Sequence, residues 1–410
     1  MMRRPRGMAG KPTMFRLPYM VHRQRPVIVA AAALLFCGIA FGETPVTKFD
    51  ETKLKAIPRQ MEEFVGKQIA GAVTLVETRE GVVALDAVGD ANLADHTPMK
   101  TDAVFRIASM TKPITATAVM MLQEEGKLSI DDPVGKYLPE LAHLKTADGK
   151  EFVVTLKQLL THSSGLTEAT HEEGAAAKTL ADLIPNYSRR PLQFEPGSKW
   201  QYCQSGLNSL GRIVEVVSAE SFPHFLQTRL FDPLGMRDTS FYPSPEQVAR
   251  LATTYNVKDE KLEPAPSARP DPSRHDHYPA ANGGLYSTAS DYGRFLRMIL
   301  NEGSLDGRRY LKPETVRLMT TVQSGELQTG FTPGNAWGLG WCVVRQPQGV
   351  TESLSPGSFG HGGAYGTQGW VDPVKGVAYI LMVQRANFPN SDASDIRRTF
   401  QETAAAAIEK

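Results

Sequence analysis

Apolar residues recur along this chain with two different periods, and the places where the period changes outline its architecture. Leu54, Ile57, Met61, Phe64 and Val65 fall on one helical stripe, which Pro58 is expected to bend. Ala72–Glu77 and Val82–Val88 lie on either side of Arg79-Glu80-Gly81 and predict a hairpin. From about 113 to 300 the spacing is mostly helical, most clearly over Ser205–Val217 and Ala289–Leu300. Strand patterns return at Leu339–Val344, Thr367–Val371 and Val377–Val383, the last two joined across Asp372-Pro373-Val374-Lys375-Gly376. A closing helix from Ser391 onward carries Ile396, Phe400 and Ile408. Strands at both ends with helices between them predict an α/β (α+β) fold, in which an antiparallel sheet built from the two termini is flanked by helices. The expected division is a sheet domain over 43–115 and 305–410 and a mostly helical insert over 116–304, with the functional site between them. Five prolines between Pro264 and Pro279 mark a long loop.

The first 42 residues follow a different rule. Seven Lys or Arg and no acid precede or flank an apolar run of fifteen residues, Val27–Phe41. That is short for a spanning helix and suits the core of a secretory signal. Small residues at Ala40 and Gly42 place cleavage before Glu43, so the mature protein is expected to be secreted or periplasmic, without a stable membrane span. An uncleaved anchor, or lipidation at Cys37 beside the bulky Phe36, fits less well. Without this head the chain has 38 basic against 44 acidic residues, which argues against a nucleic-acid binder. The composition, 41% hydrophobic and 22% charged, excludes disorder and collagen-like structure. Cys203 and Cys342 would remain after cleavage, too few for a disulfide scaffold and without metal spacing. A single bridge and two buried thiols are both open, the thiols being preferred.

Candidate chemistry centres on Phe105-Arg106-Ile107-Ala108-Ser109-Met110-Thr111-Lys112-Pro113, which contains S-x-x-K ahead of an apolar helix through Ile114, Ala118, Met121 and Leu122. A helix starting near Ser109 puts Ser109 and Lys112 on one face, with Pro113 tolerated in its first turn. Serine needs a base to become a nucleophile, and a lysine one turn away can serve once burial lowers its pKa. The Ser109 backbone N–H is also a ready oxyanion donor. His275-Asp276-His277 lacks a third metal ligand in spacing, and no G-x-S-x-G elbow, P-loop or dinucleotide fingerprint occurs.

Further segments follow in order: Leu160-Thr161-His162-Ser163-Ser164-Gly165-Leu166, Pro196-Gly197 leading to Trp200-Gln201-Tyr202, Pro233-Leu234-Gly235-Met236, Gly283-Gly284-Leu285-Tyr286-Ser287-Thr288 and Gly360-His361-Gly362-Gly363. With S-x-x-K, this set resembles the serine β-lactamase-like superfamily, in the branch of class C β-lactamases, D,D-peptidases and related esterases. The resemblance implies Ser109 as the acylated nucleophile, Lys112 as its partner and Tyr202 as the tyrosine of the Y-x-N motif. It places His361-Gly362-Gly363 at the third motif, with Ala364 as the second oxyanion N–H, and reads His162 as part of a structural turn. Two positions depart from the pattern. Gln204 stands where the family has Asn, adding a methylene on the substrate's acyl side. His361 and Gly362 replace the lysine and hydroxyl that hold a substrate carboxylate, and a mostly neutral imidazole is a weak anion partner. On that argument, a lysine at 361 with threonine at 362 would restore carboxylate binding. The resemblance therefore implies an acyl-enzyme hydrolase of small esters or amides, needing no metal or cofactor. Its alternatives are a D,D-peptidase or weak β-lactamase acting on cell-wall-like amides, and an inactive relative that binds peptide or wall fragments. Oligomeric state is left open, with a monomer as the default.

Overall fold

The computed structural model describes residues 47–266 and 272–409. The basic head, the apolar run and the cleavage position before Glu43 lie outside them, as does the middle of the proline-rich loop. The central feature is an eight-stranded antiparallel sheet. In chain order its strands are β1 (Gly71–Thr78), β2 (Val82–Asn92), β3 (Thr97–Pro98), β4 (Asn335–Trp337), β5 (Cys342–Val344), β6 (Phe359–Gly362), β7 (Gln368–Asp372) and β8 (Val377–Met382). Across the sheet they run β4-β5-β6-β7-β8-β1-β2-β3, so both ends of the chain meet where β8 pairs with β1, Leu75 opposite Ile380.

Every position of β1 is buried, which is why its sequence reads as a continuous apolar run. Alternation persists underneath. Val73 and Leu75 join one core with Ile380 and Met382, whereas Ala72 and Val76 join another with Tyr379 and Leu381. Five helices matter for the site and its support: α1 (Ala56–Glu62), α2 (Thr111–Glu124), α3 (Gln204–Ser218), α4 (Ala289–Leu300) and α5 (Asp395–Ala406). Ile57 and Met61 of α1 and Ile396 and Phe400 of α5 cover one face of the sheet. Tyr292, Phe295, Leu296 and Ile299 of α4 cover the other, in a core that continues into α2 and α3.

The opening helix is interrupted near Pro58, with only Lys55, itself right-handed helical, between its two pieces. A short turn, Glu51–Leu54, ends before Ala56–Glu62 begins, because the ring of Pro58 excludes a helical carbonyl at Leu54. The run Leu339–Val344 narrows to Cys342–Val344, since Gly340 has φ +76° and the Gly338 N–H turns back to the Trp341 carbonyl at 2.8 Å. β4 and β6 had no pattern to announce them: they are three and four residues long, and both paired neighbours and packing are needed to define them. Among the described residues no helix is long and apolar enough to cross a membrane.

Candidate active site

Helix α2 is buried from Thr111 to Leu122 on all sides, as expected of a helix at the centre of a protein. It starts two residues later than the sequence suggested. Ser109 sits in a single 3-10 turn, Ala108–Met110, and Ala108 adopts the left-handed φ of +44°, rare for a residue with a side chain. Strain of this kind persists only where the surroundings enforce it, and here they do. Phe105 and Arg106 pair with Ser287 and Tyr286, the Ile107 N–H donates to the Leu285 carbonyl at 3.1 Å, and the Tyr292 hydroxyl donates to the Met110 carbonyl at 3.1 Å. A Cβ on Gly363 would come within 2.5 Å of the Ile107 carbonyl oxygen, so only glycine lets the end of β6 approach the serine turn this closely. Ala364 follows, exposed in the turn between β6 and β7.

Lys112 is fully buried, and its Nζ has three oxygen neighbours: Ser109 Oγ at 3.0 Å, Gln204 Oε1 at 2.9 Å and the Asn282 carbonyl at 2.7 Å. Burial pushes its pKa down to about 7, with the charge of Glu168 the largest influence in the other direction. A neutral amine has two N–H groups and one lone pair. Gln204 Oε1 and the Asn282 carbonyl only accept, so they occupy both N–H groups and leave the lone pair directed at Ser109. Nζ also lies 4.6 Å from the centroid of the Tyr202 ring. Burial raises the pKa of the Tyr202 phenol, and its hydrogen bond with Ser109 offsets part of that rise. Ser109, Lys112 and Tyr202 thus form one contact group, drawn from α2 and the approach to α3.

The turn around His162 (φ +57°) positions Tyr202. Its Nδ1 accepts from the Cys203 N–H at 3.1 Å, its carbonyl accepts from Gln201, and its ring lies 4.6 Å from that of Tyr202. Burial keeps His162 well below the usual histidine range, so it is a neutral brace. His361, on β6, is 3% exposed, packs its ring against Trp337 and Tyr202, and has a pKa pushed down to about 3, mainly by burial. Cys203 and Cys342 are both buried free thiols, each pushed up to about 12 by burial. His275 stacks on Tyr242 at 4.2 Å, and Arg274 pairs with Asp276 at 2.6 Å.

Three residues outside the motifs of the sequence complete the surroundings. Asn282 gives Lys112 its carbonyl and donates from Nδ2 to Gln204 Oε1 at 3.0 Å. Its place next to Gly283-Gly284 was the one available hint. Glu168 accepts from the Ser205 N–H at 2.9 Å, from Ser205 Oγ at 2.6 Å and from the Gln204 N–H, and so holds the N-terminus of α3. Asp392 stands against Gly362: a Cβ there would overlap its Oδ1 and the Gln368 amide. The threonine expected to suit position 362 therefore has no room. Beyond Gln204 and Asn282, a cleft of about 740 Å³ opens, lined also by Glu168, Tyr187, Asn208 and Tyr278. Gln204 turns its side-chain oxygen inward to Lys112, so its extra methylene spans the gap to the lysine.

An antiparallel sheet covered by helices, with a serine hydroxyl beside a desolvated lysine amine at the head of a buried helix, defines a mixed α/β protein with a candidate site at that helix start. The chain belongs to the Beta-lactamase family, whose model matches residues 57–404. It is 32% identical over 365 residues to Protein Rv1367c of Mycobacterium tuberculosis, covering 80% of this chain and 88% of that one. It is also 32% identical over 354 residues to esterase EstB of Burkholderia gladioli, covering 78% and 87%. The solved structure of EstCE1, described as a hydrolase with promiscuous acyltransferase activity, superposes with a TM-score of 0.73 at 25% identity, covering 87% of this chain and 98% of that one. Penicillin-binding proteins and D-alanyl-D-alanine carboxypeptidases are also relatives. The family is that of β-lactamase-fold serine hydrolases.

Proposed function

We propose that this protein hydrolyses small esters or amides through an acyl-enzyme on Ser109. The observation that carries this reading is the Lys112 amine, buried, with its pKa lowered to about 7 so that a large share is neutral at pH 7, and 3.0 Å from Ser109 Oγ. In the first half-reaction Lys112 takes the Ser109 proton as Oγ attacks the carbonyl carbon, and the backbone N–H groups of Ser109 and Ala364 bind the developing oxyanion. Tyr202, in contact with both Ser109 and Lys112, relays a proton to the leaving group as its bond to the acyl carbon breaks. Water then repeats the sequence on the acyl-enzyme and releases the acid. Similarity to an esterase over most of both chains favours esters. Cell-wall-like amides are the second reading, favoured by similarity to D-alanyl-D-alanine carboxypeptidases. Export, read from residues 1–42, belongs to the same proposal.

A fluorophosphonate should add once, on the peptide containing Ser109, and Ser109→Ala should lose both the adduct and ester turnover. An intact protein with no adduct, or an adduct on Ser163 or Ser164, overturns the assignment.

A further inference from the structure

The corner of the site formed by His361 and Gly362 is where the resemblance places the group that meets a substrate carboxylate, and here the protein puts a carboxylate of its own. His361 is buried and neutral, and Gly362 has no side chain. The space a side chain at 362 would take is filled by the carboxylate of Asp392, which arrives from the 3-10 turn Ser391–Ala393 ahead of α5. Its position is built. Gln368 Nε2 donates to the Ser391 carbonyl at 3.0 Å and to Asp392 Oδ1 at 3.4 Å. Arg397 holds the same turn by donating to the Asp392 carbonyl, while its guanidinium stacks 3.9 Å over Trp370 and its Nε donates to Gln401. The arginine thus secures the backbone; among the described residues no cation comes within ion-pair distance of the Asp392 carboxylate, whose pKa burial raises while the charges of Arg397 and Lys112 favour its ionised form. With Phe331, Trp337, His361 and Gly362, Asp392 lines a narrow cavity beside Tyr202. The charge of Asp392 is felt at Lys112 and at Tyr202.

We infer that Asp392 is a specificity-determining residue that excludes substrates carrying a carboxylate beside the third motif and selects neutral or hydrogen-bond-donating groups there. The inference rests on the hydrolase reading above and narrows its substrate class. Placing like charges together is costly where water is partly excluded, whereas a neutral ester meets no such barrier. The corner therefore rejects anions actively, beyond merely lacking the family's lysine.

The test uses 4-acetoxybenzoate and its methyl ester, which deliver the same acetyl group to Ser109 from leaving groups that differ in charge. The readout is the ratio of kcat/KM for the neutral over the anionic ester. Wild type should favour the neutral ester by about tenfold or more, and this preference should shrink as salt is raised. Asp392→Asn, and Asp392→Ser should the amide not be tolerated, should reduce the ratio by about tenfold. A ratio that moves by less than about twofold in the folded variants, or a wild type that prefers the anionic ester, overturns the role of Asp392. Fluorophosphonate labelling separates the two readings. If Ser109 is labelled and the ratio does not move, only the Asp392 inference falls; if Ser109 is not labelled, the hydrolase reading falls and takes the inference with it.

Discussion

Replacing Glu168 by glutamine should lower the pH at which ester hydrolysis switches on. The Glu168 carboxylate is fixed at the start of α3 by the N–H groups of Gln204 and Ser205, and the Gln204 side-chain oxygen is 2.9 Å from Lys112 Nζ. Two charges separated by one hydrogen-bonded side chain and partly screened interact by on the order of 1–2 kcal/mol, or about one pK unit. Removing the anion destabilises the ammonium form, so the Lys112 pKa should fall from about 7 by about one unit. Acylation needs the neutral amine in the free enzyme, so the acidic limb of kcat/KM should move down by the same amount. Burial also raises the Asp392 carboxyl, so the same profile run on Asp392→Asn separates its titration from that of Lys112; the other neighbours titrate away from pH 7. His361 lies at about 3 and His162 well below its usual range, while Cys203 and Tyr202 are both raised. The assay is kcat/KM for a neutral chromogenic ester across the pH range, wild type against Glu168→Gln. Loss of part of the α3 cap will lower the plateau, but the midpoint reports only the titration. A midpoint that stays put or rises, or a wild-type profile with no limb near pH 7, refutes the assignment of Lys112 as the base.

Lys112→Ala and Tyr202→Phe should each reduce kcat by about 10²–10⁴, with the double variant little worse than the more damaged single one, because both act on the Ser109 proton; fully additive losses would show that they act independently. Glu77 is buried under α4 against Gly293, and burial pushes its pKa up to about 8 from 4.5. Between these values the folded state keeps a proton that the unfolded state has lost, so stability falls as pH rises from about 4.5 to 8 and then levels off. Glu77→Gln should therefore gain on wild type across that window, by on the order of 3–5 kcal/mol at its top, in urea denaturation. An equal difference at both ends would mean that Glu77 does not titrate in this way.

Much of the fold and the outline of the site could be read from residue order. The alternation in β1 and β8, the amphipathic stripe of α4 and the three-residue spacing of Ser109 and Lys112 are local properties. Each follows from the pitch of a strand or helix, which neighbours in sequence impose by themselves. What those neighbours could not supply was the state of the groups. Lys112 titrates near 7 because a helix buried on every side removes its water, and in its neutral form the lone pair faces Ser109 because acceptors 92 and 170 residues away take both N–H groups. His361 reads in the motif as a mostly neutral imidazole, and burial removes the charge it could still have taken up near neutral pH. Gly362 looked like a missing hydroxyl, whereas the tertiary structure fills its space with the carboxylate of Asp392, thirty residues further on. A motif specifies which atoms are brought in and at what spacing along the chain. Protonation and charge depend on everything packed around those atoms, and only the folded chain decides that.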